Sequence, residues 1–141
     1  MASDNLVSVQ TRPDHYDVLL KIITIGDSGS GKTSLIHRFV NGQMIEDVTT
    51  TLGVEFSSKN FVKEDGKQIR AQFWDTAGND RYKSLTSSYF RGAVAAALTF
   101  DITSQQSFKN LDFWMKEIKE KCNEHTVIML VGNKSDLEDQ R

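Results

Sequence analysis

The sequence predicts an α/β fold with a mostly parallel sheet and helices on both of its faces. Three short apolar runs alternate with helical patterns, and they occupy Val18–Ile25, residues 93–100 and residues 126–131. Because such runs suit strands that are buried on both faces, they indicate parallel pairing through right-handed helical crossovers. The first and third runs end at Gly26 and Gly132. Ligands of such sheets bind beyond the carboxyl ends of the strands.

Composition restricts the class of protein further. The chain has 141 residues, a net charge of −2 and a single cysteine, Cys122, so it favours one domain without an internal disulfide. The absence of a basic run argues against nucleic acid as a partner. We expect residues 1–16 to be a flexible leader and residues 17–141 to be the domain. With no signal peptide and no lipidation signal, the chain is expected to be cytoplasmic, without a direct lipid anchor.

Helices are predicted where apolar residues recur every three or four positions. One begins after Gly31 and ends at Gly42, a natural C-terminal stop. A second is expected over residues 108–123 and a further one over about residues 79–90. The apolar face of the first helix consists of Leu35, Ile36 and Phe39.

A β-hairpin is predicted between the first helix and the second apolar strand. Val54–Val62 and residues 68–74 flank the turn sequence Glu64-Asp65-Gly66, in which glycine supplies a positive φ. The two segments should therefore pair in antiparallel fashion.

The sequence GDSGSGKT at residues 26–33 fits the pattern G-x-x-x-x-G-K-[ST]. In this pattern the backbone N–H groups and the N-terminus of the following helix face phosphate. Lys32 would reach the β- and γ-phosphates, and the Thr33 hydroxyl would bind Mg²⁺. The predicted phosphate-binding residues are Asp27, Ser28, Gly29, Ser30, Gly31, Lys32, Thr33 and Ser34.

Two further motifs follow predicted strands. In DTAG, residues 75–78, Asp75 can hold Mg²⁺ and the backbone of Gly78 can approach a γ-phosphate. In NKSD, residues 133–136, Asp136 can accept hydrogen bonds from the N1–H and the exocyclic amine of guanine, which adenine cannot offer. The predicted base-binding residues are Asn133, Lys134 and Asp136.

With these motifs, the chain from about Asp17 onward resembles the Rab family of small GTPases. The stretches that carry the resemblance, besides the three motifs, are residues 51–56 (TLGVEF), 74–82 (WDTAGNDRY), 89–92 (YFRG) and 101–103 (DIT). The first two resemble the switch segments of the family. The resemblance implies that Thr51 closes over the γ-phosphate and completes the Mg²⁺ shell. It also implies that Phe56, Trp74 and Tyr89 form the aromatic triad that effectors contact.

The resemblance further implies a GTP/GDP switch that hydrolyses GTP, requires Mg²⁺ and acts in vesicle trafficking. Its partners would be effectors, exchange factors and GTPase-activating proteins. Three departures qualify this expectation. Asn79 stands at the catalytic position where the family usually has Gln, so slow hydrolysis is expected. Met44 stands where a Phe usually packs on guanine.

The third departure is that the sequence stops soon after NKSD, before the last strand, the last helix and the prenylated tail of the family. The domain is therefore expected to be incomplete. We expect part of one sheet face, and the edge beside Val18–Ile25, to lie open to water.

Two alternatives to the switch remain. A non-cycling binding module that keeps the Rab surface but hydrolyses GTP poorly is favoured by Asn79 and Met44. A P-loop kinase or ATPase is less favoured, because Asp136 selects guanine and no acceptor-substrate site is recognisable.

Overall fold

The computed structural model describes residues 7–8, 15–45, 54–76 and 87–141. Its elements agree with most of the predicted ones, with boundaries that differ by one or two residues. In chain order they are β1 (Val7–Ser8), β2 (Val18–Ile25), α1 (Lys32–Asn41), β3 (Val54–Val62), β4 (Gln68–Thr76), α2 (Ser87–Phe90), β5 (Ala93–Asp101), α3 (Gln105–Lys109), α4 (Leu111–Lys121), β6 (Val127–Asn133) and a 3₁₀ helix (Ser135–Gln140).

One mixed sheet organises the described part of the chain, with the strand order β1-β3-β4-β2-β5-β6. The strands β4, β2, β5 and β6 run parallel, and β3 pairs antiparallel with β4 as the predicted hairpin. The fold class is thus confirmed. The short strand β1 lies in the leader, where the sequence predicted no strand, and it pairs antiparallel with β3.

One face of the sheet carries the main core. Ile23 and Ile25 of β2 and Leu98 of β5 are almost completely buried there. They pack with Trp114 and Ile118 of α4, and with the aromatic rings of α2. Burial of apolar side chains of this size stabilises the fold by about 1.5 to 3 kcal/mol each, so this face holds the sheet and the helices α2 and α4 together.

Among the described residues, the opposite face of the sheet is only partly covered. The helix α1 packs there against the β3–β4 half, where Phe39 contacts the Phe73 ring edge-on at 5.3 Å. Beside it an apolar groove of about 550 Å³ crosses β2, β5 and β6. Val127 and Met129 are 65% and 60% exposed on this side. The expectation of an open apolar face is confirmed.

The expectation of an open edge beside β2 is wrong. The hairpin folds back so that β4 pairs with β2 from Val18↔Ile69 to Thr24↔Asp75, and β5 pairs with the other side of β2. The strand β2 is therefore central. Among the described strands, the outer positions of the sheet are taken by β1 and β6.

The helix predicted over residues 108–123 is two helices. The first, α3, begins earlier because the Ser104 side chain accepts a hydrogen bond from the Ser107 N–H and caps its N-terminus. It ends at Asn110, which has φ −75° and ψ −6° and also precedes α4. Of the helix predicted over residues 79–90, only Ser87–Phe90 lies within the described residues. None of the helices described is long and apolar enough to cross a membrane.

Candidate functional site

The loop of residues 26–31 lies at the carboxyl end of the central strand β2 and leads directly into α1. A turn closes it, because the Ser30 N–H donates to the Asp27 carbonyl at 3.2 Å. Gly31 has φ +88°, and a Cβ there would lie 2.3 Å from Asn133 Nδ2. The conformation and the close approach both require glycine at this position.

The buried side chain of Lys32 bends back onto this loop. Its Nζ donates to the carbonyl oxygens of Gly26 at 2.9 Å and of Asp27 at 2.8 Å. Burial lowers the pKa of Lys32 to about 8, although the nearby carboxylates of Asp75 and Asp27 act to raise it. The ammonium is thus held at the loop by neutral acceptors, which a phosphate could replace with charged ones.

Thr33 and Asp75, both predicted as metal ligands, lie in contact. The Thr33 hydroxyl at the start of α1 donates to Asp75 Oδ2, and Thr24 Oγ1 lies 3.4 Å from Asp75 Oδ1. Burial raises the pKa of the Asp75 carboxyl, against the opposing effects of the Thr33 hydrogen bond and the Lys32 charge. The sequence predicted that Asp75 follows a strand. Asp75 lies within β4 instead, because β4 continues to Thr76, whose hydroxyl donates to the Thr24 carbonyl.

This hydroxyl–carboxylate pair fits a hard cation such as Mg²⁺, which prefers oxygen ligands and few of them from protein. Within the described ranges no group of three or more His, Cys, Asp or Glu side chains could hold a metal ion. In the same residues the buried Ser30 Oγ has no hydrogen-bond partner. A buried hydroxyl without a partner is expected in a loop where a bound ligand supplies the missing hydrogen bond.

The end of β6 is joined directly to the loop. Asn133 Nδ2 donates to the Ser30 carbonyl at 2.9 Å, so the first residue of the NKSD motif supports the phosphate-binding loop. Lys134 follows in a left-handed conformation, with φ +69°. Asp136 is exposed near the start of the 3₁₀ helix, where its carboxylate is accessible to a base.

Asp101 at the end of β5 contacts the candidate site, and the sequence analysis did not assign it there. Its Oδ2 lies 2.7 Å from Lys134 Nζ, and its Oδ1 accepts hydrogen bonds from the backbone and hydroxyl of Thr103. Burial would raise the pKa of this carboxyl, but the hydrogen bonds from Lys134 and Thr103 hold the pKa below its usual value. A signal was available, since Asp101 ends the strand that lies between two motif-bearing strands.

The three predicted effector-contacting aromatics form one stack. Phe56 stacks on Trp74 at 5.8 Å between centroids, and Trp74 meets Tyr89 edge-on at 5.9 Å. Phe56 is 62% exposed, whereas Tyr89 is 2% exposed and donates its hydroxyl to the Trp74 carbonyl at 2.6 Å. In this conformation Tyr89 therefore lies on the buried side of Trp74 and supports that ring. Lys21 Nζ lies 4.0 Å from the Trp74 ring centroid.

The remaining predicted site residues are either outside the described ranges or at exposed or half-buried positions. Thr51, Gly78 and Asn79 fall outside the described residues. Ser28 and Gly29 are exposed at the tip of the loop, and Ser34 is half-buried in α1. Met44, predicted to replace a base-stacking Phe, is 62% exposed.

Two comparisons of the sequence with known proteins identify the family. The model of the Ras family matches residues 21–141. The chain is 48% identical over 128 residues to Ras-related protein YPTC6 of Chlamydomonas reinhardtii, an alignment that covers 91% of this chain and 59% of that relative. The chain thus spans about three fifths of the length of the curated relative it matches. The match extends over the loop, β4 and the end of β6, and it shows that the chain belongs to the Ras family of small GTPases, within its Rab type.

Proposed function

We propose that the chain binds GTP and GDP together with Mg²⁺ and acts as a GTP/GDP switch. The observation that carries this proposal is the hydrogen bond from Asn133 Nδ2 to the Ser30 carbonyl. It joins the predicted base-reading segment to the predicted phosphate-binding loop, so that one nucleotide could span both. Membership of the Ras family supports the same function.

In this proposal each described residue has a separate task. Lys32 and the loop N–H groups bind the phosphates, and Asp136 accepts from the guanine edge. Thr33 and Asp75 hold Mg²⁺, directly or through water, and the ion neutralises charge on the phosphate oxygens when it is bound. Asp101 holds Lys134 beside the base-binding segment. Thr51 and Gly78 would complete the site around the γ-phosphate.

Vesicle trafficking and a cytoplasmic location are also part of the proposal, and they rest on the Rab-type sequence. The surface that would contact effectors is formed by the exposed ring of Phe56 and the adjacent Trp74. Exchange factors and GTPase-activating proteins would act on the same nucleotide site. The order of the switch segments would change with the γ-phosphate, so that partners distinguish the two nucleotide states.

Asp136→Asn tests the assignment of the base. The amide can donate to the 2-carbonyl of xanthine but cannot accept both donors of guanine, so GDP affinity should fall about a hundredfold and xanthosine diphosphate should become the preferred ligand. Competition titrations with GDP, xanthosine diphosphate and ADP measure this. Asp139→Asn, a change of the same kind in an exposed residue of the 3₁₀ helix, is the control. If Asp136→Asn still prefers GDP, the assignment of Asp136 to the guanine base is wrong.

The lowered pKa of Lys32 predicts a pH dependence of nucleotide binding. In the free chain half of the Lys32 side chains are neutral at a pH of about 8, whereas bound phosphate should restore the protonated form. Binding should therefore take up about half a proton at that pH, and affinity should weaken as the pH rises from 7 to 8.5. Calorimetry in two buffers of different ionisation enthalpy measures the uptake. Lys32→Arg, which stays charged, should abolish the dependence.

A second candidate function is a binding module that keeps the Rab surface but hydrolyses GTP poorly. Asn79 favours it, because its side chain is one methylene shorter than Gln and would orient the attacking water less well. Asn79→Gln should therefore raise the single-turnover rate of GTP hydrolysis, by about tenfold if water positioning limits it. Asn60→Gln on β3 is the control. Asn110→Gln is unsuitable, because Asn110 contacts the loop. If the rate does not change, Asn79 is not the limit.

A further inference from the structure

The side chain of Asp27, the second residue of the loop, points toward the helices α3 and α4. Asn110 Nδ2 donates to Asp27 Oδ2 at 2.6 Å, and Trp114 Nε1 donates to Asp27 Oδ1 at 2.7 Å. Each carboxylate oxygen thus has its own donor. Hydrogen bonds to an ionised acceptor are about twice as strong as neutral ones.

One of these donors lies at a helix junction and the other in the main core. Asn110 is both the C-cap of α3 and the N-cap of α4, and its Oδ1 accepts a hydrogen bond from Gln106 Nε2 at 2.9 Å. Trp114 is 7% exposed and packs in the core with Ile118. The Asp27 side chain is therefore attached to the junction of two helices and, through the indole, to the main core.

The backbone of Asp27 is equally constrained. Its carbonyl accepts from the Ser30 N–H at 3.2 Å and from Lys32 Nζ at 2.8 Å, so it closes the turn of the loop and holds the lysine. A residue whose side chain is anchored to the core and whose backbone closes the loop decides in which direction the loop N–H groups point.

We propose that Asp27 is a positioning residue: through Asn110 and Trp114 it holds the loop in its phosphate-binding conformation and thereby sets the rate of nucleotide release. This inference rests on the proposed function. A loop that is already ordered loses less conformational freedom when ligand binds. Without this anchor, part of the binding free energy would be used to order the loop. Binding would then be weaker, and the bound nucleotide would leave faster.

The test compares five chains: wild type, Asp27→Ala, Trp114→Phe, the double variant and a control, Ile118→Val. Release of fluorescently labelled GDP, chased with excess GDP, should be about tenfold faster in each single variant. Because the two side chains act through one contact, the double variant should release GDP no faster than Asp27→Ala alone. Ile118→Val is the matched control, since it weakens the same core without touching Asp27. It should lower the melting temperature and leave the release rate at the wild-type value.

A second readout needs no nucleotide. Hydrogen exchange of the backbone amides of Gly29, Ser30 and Gly31 should be faster in Asp27→Ala and Trp114→Phe than in wild type and Ile118→Val. The inference is overturned if release and exchange in both variants match Ile118→Val, or if the effects of the two changes simply add. A wild-type chain that binds no guanine nucleotide overturns the proposed function and the claim about release, whereas the exchange measurement still decides separately whether Asp27 orders the loop.

Discussion

Replacing Gly26 with alanine should destabilise the protein by about 4 kcal/mol or more, which is a large share of the roughly 5 to 15 kcal/mol of a small domain. A Cβ at this position would lie 2.0 Å from the carbonyl oxygen of Thr99, and Gly26 has φ +151°. Thr99 is completely buried in β5, and β5 pairs with β2 through Ile25↔Leu98, just before the glycine. The clash is between the added Cβ and a backbone carbonyl oxygen, so no side-chain rotation can relieve it. Urea unfolding followed by circular dichroism measures the loss.

Gly66→Ala is the matched control for this prediction. Gly66 also has a positive φ, +83°, but a Cβ there meets nothing within 4 Å, since the residue lies in the exposed turn of the hairpin. Only conformational strain remains, which should cost about 1 to 2 kcal/mol. If the two variants unfold at the same urea concentration, the approach of Gly26 to Thr99 does not limit stability.

Lys32→Ala should weaken GDP and GTP binding roughly a thousandfold. The ammonium would donate at least two charge-assisted hydrogen bonds to phosphate, each contributing about 1.5 to 3 kcal/mol, and about 1.4 kcal/mol corresponds to a factor of ten. Equilibrium titration with labelled nucleotide gives the dissociation constants.

Lys67→Ala, in the exposed turn between β3 and β4, removes the same charge far from the loop and should bind like wild type. A comparable loss in both variants would mean that overall charge, and not the position of Lys32, determines affinity. Retention of tight binding by Lys32→Ala alone would contradict the role assigned to the lysine.

The strands and the loop could be predicted because their signals are local. The run Val18–Ile25 ends at a glycine, and the GKT sequence follows at the place where a helix begins, so the fold around Lys32 follows from neighbouring residues. The split between α3 and α4 is different in kind. Helical periodicity continues through Asn110, while the side chain of Asn110 bonds to Asp27, 83 residues away along the chain. A contact at that separation leaves no mark on local periodicity.

The same distinction explains the error about the sheet edge. Apolar character predicted that Val18–Ile25 is buried, but the order of strands depends on which strand pairs with which. The ion pair of Asp101 with Lys134 likewise depends on β5 and β6 lying side by side, in the register Asp101↔Asn133. Motifs therefore predicted the candidate site residues, whereas strand pairing determines which neighbours contact the described ones.

The central place of β2 has a consequence for how the protein is made. Thr24 meets Asp75, 51 residues later, and Ser30 meets Asn133, 103 residues later. Parallel pairings of this kind form slowly, because a long stretch of chain must be ordered before the contact is made. During synthesis the loop leaves the ribosome early, yet Asn133, the residue that supports it from β6, is translated 103 residues after Ser30. The candidate site should therefore be complete only after β6 has been made, and until then the partly folded chain would expose apolar surface.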